Sequence, residues 1–529
     1  MLTPWQTLCR YRAHDGTLAD FLASRAEPGP DRTFLVFLGE RGERSWTYRE
    51  LAAASSRLAR GLGARGIGKG DRIAVMAPNS DATVVLLFAA ARLGAILVPV
   101  NPELGPSEAG YILDHAAPSA IVVTPETAPV VRAAGATELL GLEGPVEGAP
   151  ALLSLEGQAD LPTVSGGEVG LILYTSGTTG FPKGVMHAQR SFTLAGEGFV
   201  ERMELQPDDR LLCVLPLFHV NALFYSLGGA LAAGASLVLA RRFSASGFWR
   251  LAAETGATEV NIIAAVGNIL ARRPRSEFVP GHRLAKVYGA PVSPELAAIL
   301  TSELGVSVVI EGYGMTEIPG AASVPFRGPH KPGSMGRAAR HPDRSVAFAE
   351  LRVVDEDGRD LPDGEVGELL VRTPIVMTGY FRDPAATAAA FHDGWFATGD
   401  LARRDADGDL FFVARKKDII RRRGENVSGA ELDRILALHP AVAEAAAVAV
   451  PAELGEDEIL AVVVARPGVA LSAPEVAAWC AQNLAASKVP RYVAIVDELP
   501  HTPTHRVAKF KLRGDPDLLA RAVDLGGKR

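Results

Sequence analysis

The chemistry in this sequence concentrates between Tyr174 and Gly184, which read Y-T-S-G-T-T-G-F-P-K-G. Gly177, Gly180 and Gly184 free the backbone to turn its N–H groups inward, and Thr175, Ser176, Thr178 and Thr179 add hydroxyl donors, so the segment suits the oxygens of a polyphosphate. Lys183 supplies a positive charge. This is not a Walker loop: Pro182 precedes the lysine and Gly184 follows it, so no Ser or Thr stands beside the lysine at the start of a helix. A plain surface turn is the competing reading, and it leaves the hydroxyls and the lysine without a purpose.

A second glycine string, Gly61, Gly63 and Gly66, spells the G-x-G-x-x-G of dinucleotide sites. Here a helical pattern precedes and a strand pattern follows, the reverse of the order that fingerprint needs, so the string reads as a helix-ending turn.

Four more strings follow along the chain: LPLFHVNAL from Leu215 to Leu223, EGYGMTE from Glu311 to Glu317, WFATGDL from Trp395 to Leu401, and RKKDIIRRRGENVSGAELD from Arg415 to Asp433. With YTSGTTGFPKGV, and in this order, they resemble the adenylate-forming acyl-CoA synthetases, relatives of peptide-synthetase adenylation domains and beetle luciferases. The resemblance covers nearly the whole chain. EGYGMTE, IRRRGENVS and the ending from Thr502 to Lys509 are most similar to the carnitine/crotonobetaine-CoA ligase-like branch.

The resemblance implies an enzyme that uses ATP and Mg2+ to turn a small carboxylic acid into its acyl-adenylate and then passes the acyl group to coenzyme A. On that likeness Thr175 to Gly180 and Lys183 hold phosphates, Tyr313 stacks on adenine, Thr316 reaches the α-phosphate and Glu317 holds magnesium, with Glu311, Gly312 and Gly314 around them. Charge builds on phosphate oxygens during such an attack, so fixed donors and a metal belong there. Gly289, Ala290 and Pro291 match the adenine-edge turn, and Asp400 and Arg415 the ribose partners. His219 matches an aromatic residue bordering the acyl pocket, which Asn221, Phe224, Val266, Gly267 and Gly314 are expected to line. Lys417 matches a hinge about which the small C-terminal domain rotates, bringing Gly424, Glu425 and Asn426 to the pantetheine tunnel.

The family ends in P-x-T-x-x-G-K, whose lysine serves adenylation. Here Pro500-His-Thr-Pro-Thr-His-Arg506 puts His505 for the glycine and Arg506 for the lysine, with Lys509 three residues on. Arginine keeps the charge but brings a planar, larger fork. Arg506 in the lysine's place, Lys509 after a local shift, and a slow or differently organised adenylation all stay open.

The elements that must position these residues alternate. Helix patterns at Thr83 to Leu93 and Glu108 to Asp114 interleave with strand patterns at Arg72 to Met76, Ala95 to Pro99 and Ala120 to Thr124, the mark of an α/β, parallel-rich sheet covered by helices. A second such series runs from Val169 to Glu311. Short strands between turn residues then predict a β-rich subdomain over about 345–414. A basic run after Arg415 opens a small α+β domain, started by a Ser428/Glu431 capping box, so the expected domains are 1–415 and 416–529.

With 529 residues, more than one core is expected. A net charge of −7 argues against a nucleic-acid partner. Cys9, Cys213 and Cys480 offer neither a disulfide framework nor a metal motif, which fits the cytoplasm. No secretory leader is expected from the charged start, and the apolar stretch from Ala82 to Val100, broken by Arg92, Gly94 and Pro99, predicts buried helix and strand instead of a membrane span. The oligomeric state stays open, a homodimer being the commonest arrangement among soluble oligomers. Two rival readings remain: adenylation with a different acceptor, either a carrier-protein thiol acting in trans or an amine, and a nucleotide-binding relative without catalysis.

Overall fold

The computed structural model describes residues 1–11, 16–175, 182–422, 425–451, 457–484, 488–501 and 507–526, without the side chains of residues 417, 421, 425, 426 and 516. Its contacts divide the chain into two compact units, one built from 1–175, 182–351 and 371–396, the other from 352–370 and 397–529.

Two large sheets form the first unit. The seven-stranded sheet runs in the order Gly379–Tyr380, Lys183–Ala188, Val169–Thr175, Ile96–Val100, Arg72–Met76, Ala120–Val123, Leu140–Gly141. Its Arg72–Met76, Ile96–Val100 and Ala120–Val123 strands pair in parallel, as the alternation predicts. The nine-stranded sheet has a parallel centre of Thr33–Gly39, Ser236–Ala240, Arg210–Cys213, Glu259–Ile263, Lys286–Ala290 and Val308–Met315. Helix Asp81–Leu93 packs on strands of both sheets, so a sequence apolar on every face is buried on every face. No helix among the described residues is long and apolar enough to cross a membrane.

Gly61 and Gly63 sit in helix Tyr48–Ala64 and Gly66 follows it with φ +85°, ahead of strand Arg72–Met76: a helix end, as read.

The second unit joins β-rich segments to an α+β segment. Strand Trp395–Arg404 runs antiparallel to Leu410–Arg415, and Val442–Pro451, Asp457–Ala465, Tyr492–Val496 and Val523–Asp524 form a four-stranded sheet. The expected division at 415/416 lies inside this unit, where Ser428 Oγ donates to the Val413 carbonyl at 3.0 Å. Ser428 caps helix Gly429–Ala437 through the Glu431 N–H at 3.2 Å, but the reciprocal half of the capping box is absent. Instead the Glu431 carboxylate accepts from Lys488 Nζ at 2.7 Å, a full charge being a stronger partner than an amide.

Candidate active site

Strands Val169–Thr175 and Lys183–Ala188 form an antiparallel hairpin in which Thr175 faces Lys183, so the two ends of the glycine-and-hydroxyl segment stand side by side. Ser176, Gly177, Thr178, Thr179 and Gly180 lie outside the described residues. Behind the hairpin the Tyr174 hydroxyl meets His115 Nδ1 at 2.7 Å, and burial, with Arg382 nearby, lowers the His115 pKa.

Strand Val308–Met315 turns back into Ile318–Ser323, leaving Thr316 and Glu317 at the turn. The turn needs glycine at 314: a Cβ there would lie 2.5 Å from the Gly320 backbone nitrogen. His187 Nε2 donates to the Thr316 carbonyl at 2.7 Å. Full burial pushes the His187 pKa down to about 4, so the ring is a neutral strut tying this turn to the strand of Lys183. Glu317 is held twice, its carbonyl by the Met377 N–H at 2.8 Å and its Oε1 by the Tyr380 hydroxyl at 2.9 Å. Tyr380 also places its ring centroid 4.8 Å from Lys183 Nζ.

Gly289 and Ala290 end the adjoining parallel strand, with Gly289 opposite Glu311, and Pro291 follows. Ligand crevices of parallel sheets lie at such carboxyl ends. Gly312 and Tyr313 are buried here, while Gly314 is exposed. Burial pushes the Glu311 carboxyl up to about 7, opposed by the Val292 N–H it accepts from.

His219 follows strand Arg210–Cys213, its N–H donating to the Pro216 carbonyl at 3.0 Å and its ring 4.4 Å from that of Phe218. Asn221 opens a π-helical turn, Asn221–Leu227, a geometry frequent at functional sites. Phe224 on that turn is fully buried, its ring 5.0 Å from His187 and 5.3 Å from Phe192. Val266 and Gly267 belong to helix Ala264–Arg272, and a Cβ at 267 would lie 2.5 Å from Leu296 Cδ2, so a larger residue there needs that side chain to shift.

In the second unit Asp400 and Arg415 face each other across the antiparallel pair, with Arg415 Nε 2.7 Å from Asp400 Oδ1. Thr398 Oγ1 accepts the Asp400 N–H at 3.0 Å and donates to the Leu369 carbonyl at 2.7 Å, which fixes the backbone at the buried Asp400. Gly424 and Arg506 lie outside the described residues, as do the side chains of Lys417, Glu425 and Asn426. Lys509 opens helix Lys509–Arg513, and its Nζ stands 2.6 Å from Asp433 Oδ2 and 3.0 Å from the Ala447 carbonyl.

Three supporting residues escaped sequence reasoning. Tyr380 and His187 lie outside any chemical motif. Asn79 donates to the Leu215 and Ala240 carbonyls at 3.0 Å and accepts the Leu217 N–H at 2.8 Å, pinning the loop that carries His219. Its sequence neighbours Pro78, Ser80 and Asp81 make an ordinary turn string that does not set Asn79 apart.

Among the described residues no group of three or more His, Cys, Asp or Glu could hold a metal by itself. Magnesium does not require one: it takes one or two carboxylates and completes its shell with phosphate and water, which the buried Glu317 suits.

A lysine beside a tight glycine turn that carries a buried carboxylate, at the edge of parallel sheets, defines a nucleotide-binding α/β enzyme. The profile of the AMP-binding enzyme family matches residues 22–381 and that of the AMP-binding enzyme C-terminal domain matches 431–506; the chain belongs to this family. It is 35% identical to a sulfoacetate–CoA ligase of Cupriavidus necator, over 94% of this chain and 97% of that protein. An indoleacetate–CoA ligase of Aromatoleum aromaticum is also 35% identical, over 94% and 97%. The crystal structure of ATP-bound MatB from Rhodopseudomonas palustris superposes with a TM-score of 0.81 at 30% identity, covering 94% and 98%. The chain is an adenylate-forming acyl-CoA ligase.

Proposed function

We propose that the enzyme activates a small carboxylic acid, with Lys183, Thr316, Glu317, His219 and Arg506 carrying the first half-reaction. A substrate carboxylate oxygen attacks the α-phosphorus of ATP, the bond to pyrophosphate breaks, and the acyl-adenylate forms. The coenzyme A thiol then attacks the acyl carbon and AMP leaves. Lys183 and Arg506 neutralise charge on the phosphates, and Thr316 donates to the α-phosphate. Glu317 would hold Mg2+, which supplies further neutralisation when bound. Tyr313 and the turn Gly289 to Pro291 take the adenine; Asp400 and Arg415 take the ribose. His219 and Asn221 border the acid.

The observation that carries this reading is the juxtaposition of Lys183 with Thr175 on one side and with Tyr380, the partner of Glu317, on the other. For the terminal cation, the ion pair of Lys509 with Asp433 supports Arg506. We assign the hinge to Lys417, and the pantetheine tunnel to Gly424, Glu425 and Asn426. The cytoplasm, which holds ATP and coenzyme A, is the compartment this reading needs, and the reading requires no second subunit.

The acid is read by a pyrophosphate-release screen with ATP, Mg2+ and coenzyme A. The panel takes a sulfonated short acid, an aryl-acetic acid, fatty acids and a quaternary-ammonium acid, the last from the resemblance to carnitine/crotonobetaine ligases. One or more acids should release pyrophosphate and yield a thioester. The proposal fails if none does and calorimetry detects no ATP binding.

A further inference from the structure

Residues 377–384 form a strap stitched to both halves of the phosphate site. On one side Thr378 N–H donates to the Met186 carbonyl at 2.9 Å and Phe381 N–H to the Gly184 carbonyl at 2.7 Å, on the strand that Lys183 begins. On the other, Met377 N–H holds the Glu317 carbonyl at 2.8 Å. Tyr380 sits in the middle, its own N–H donating to Thr387 Oγ1 at 2.8 Å. Its side chain repeats the double attachment: the hydroxyl meets Glu317 Oε1 at 2.9 Å and the ring lies under Lys183 Nζ at 4.8 Å.

We propose that Tyr380 is a positioning residue for nucleotide binding, its ring setting the Lys183 ammonium and its hydroxyl setting the Glu317 carboxylate. A flexible lysine stem and a flexible glutamate stem would otherwise each lose rotamer freedom when the nucleotide arrives. One rigid phenol holds both before binding, at a separation fixed by the span from ring to hydroxyl. The inference rests on the adenylation reading above.

The test compares full-length wild type with Tyr380→Phe and Tyr380→Leu, measuring ATP binding by calorimetry without Mg2+ and across a Mg2+ titration, beside kcat and KM for pyrophosphate release. Phenylalanine keeps the ring, so Mg2+-free ATP affinity stays within about twofold of wild type, while the half-saturating Mg2+ concentration rises about three- to tenfold. Leucine removes both attachments and additionally weakens Mg2+-free ATP binding by about two- to fivefold. A merely structural tyrosine would lower the amount of folded protein without separating these two titrations. Wild-type titrations in both variants overturn the inference while leaving the adenylation reading intact. If leucine prevents folding, the phenylalanine variant decides. Absence of ATP binding by wild type itself overturns both.

Discussion

Lys509 and Asp433 are locked together: Nζ stands 2.6 Å from Oδ2, while the other carboxylate oxygen accepts the Ala447 N–H at 2.7 Å. The pair thereby ties helix Gly429–Ala437 and strand Val442–Pro451 to the helix that Lys509 opens. Burial raises the Asp433 pKa and Lys509 lowers it, so removing the lysine leaves a half-buried carboxylate without its counter-charge.

Lys509→Ala should therefore cost stability, about 1–3 kcal/mol for a partly exposed pair, and lower both half-reactions together. Arg506→Ala should lower adenylation about 100-fold while sparing thioester formation from supplied acyl-adenylate. Urea unfolding and separate half-reaction assays distinguish them. Equal loss in both half-reactions for Arg506→Ala would return the terminal cation to another residue.

Acid should loosen the strut at His187. Its folded pKa is about 4, below the ordinary 6.5, so the unfolded chain binds the proton more readily. Stability is complete above pH 6.5 and falls as the pH drops from there to 4, by up to about 3 kcal/mol from this group. His187→Gln should flatten that part of the unfolding profile. An unchanged slope would remove His187 from the account.

Glu311 works in the opposite direction. Its folded pKa of about 7 lies above the ordinary 4.5, so its protonated form is the one the fold favours. Stability is present at pH 4.5 and declines as the pH rises through 7. Glu311→Gln should be the more stable protein at pH 8.5 by about 1–2 kcal/mol and show no gain at pH 5, read by thermal unfolding at both.

Asn79→Ala should cost about 2–3 kcal/mol, because it strips buried carbonyls and an N–H of their partner. It should also lower kcat through the freed loop of His219. Parallel stability and steady-state measurements test this, and a variant of unchanged kcat would separate the loop from catalysis.

The alternation of helix and strand from Arg72 to Val123 was legible because each pattern is local: a period of 2 or 3.6 in apolar residues states which face is buried. The motifs were legible for the same reason, their chemistry lying within a few consecutive residues. The capping box was only half right, since Glu431 had a distant competitor in Lys488 that no neighbouring residue reveals.

By itself, then, the sequence determined the α/β class, the family and the motifs from which the candidate site was drawn. Tertiary structure alone decided which of them are held and by what: Tyr380 on Glu317, His187 on the Thr316 carbonyl, Asn79 on the loop of His219, and Lys509 on Asp433. Each of these contacts joins residues far apart in the chain. Which distant groups meet depends on how sheets and helices pack, and no local periodicity encodes that.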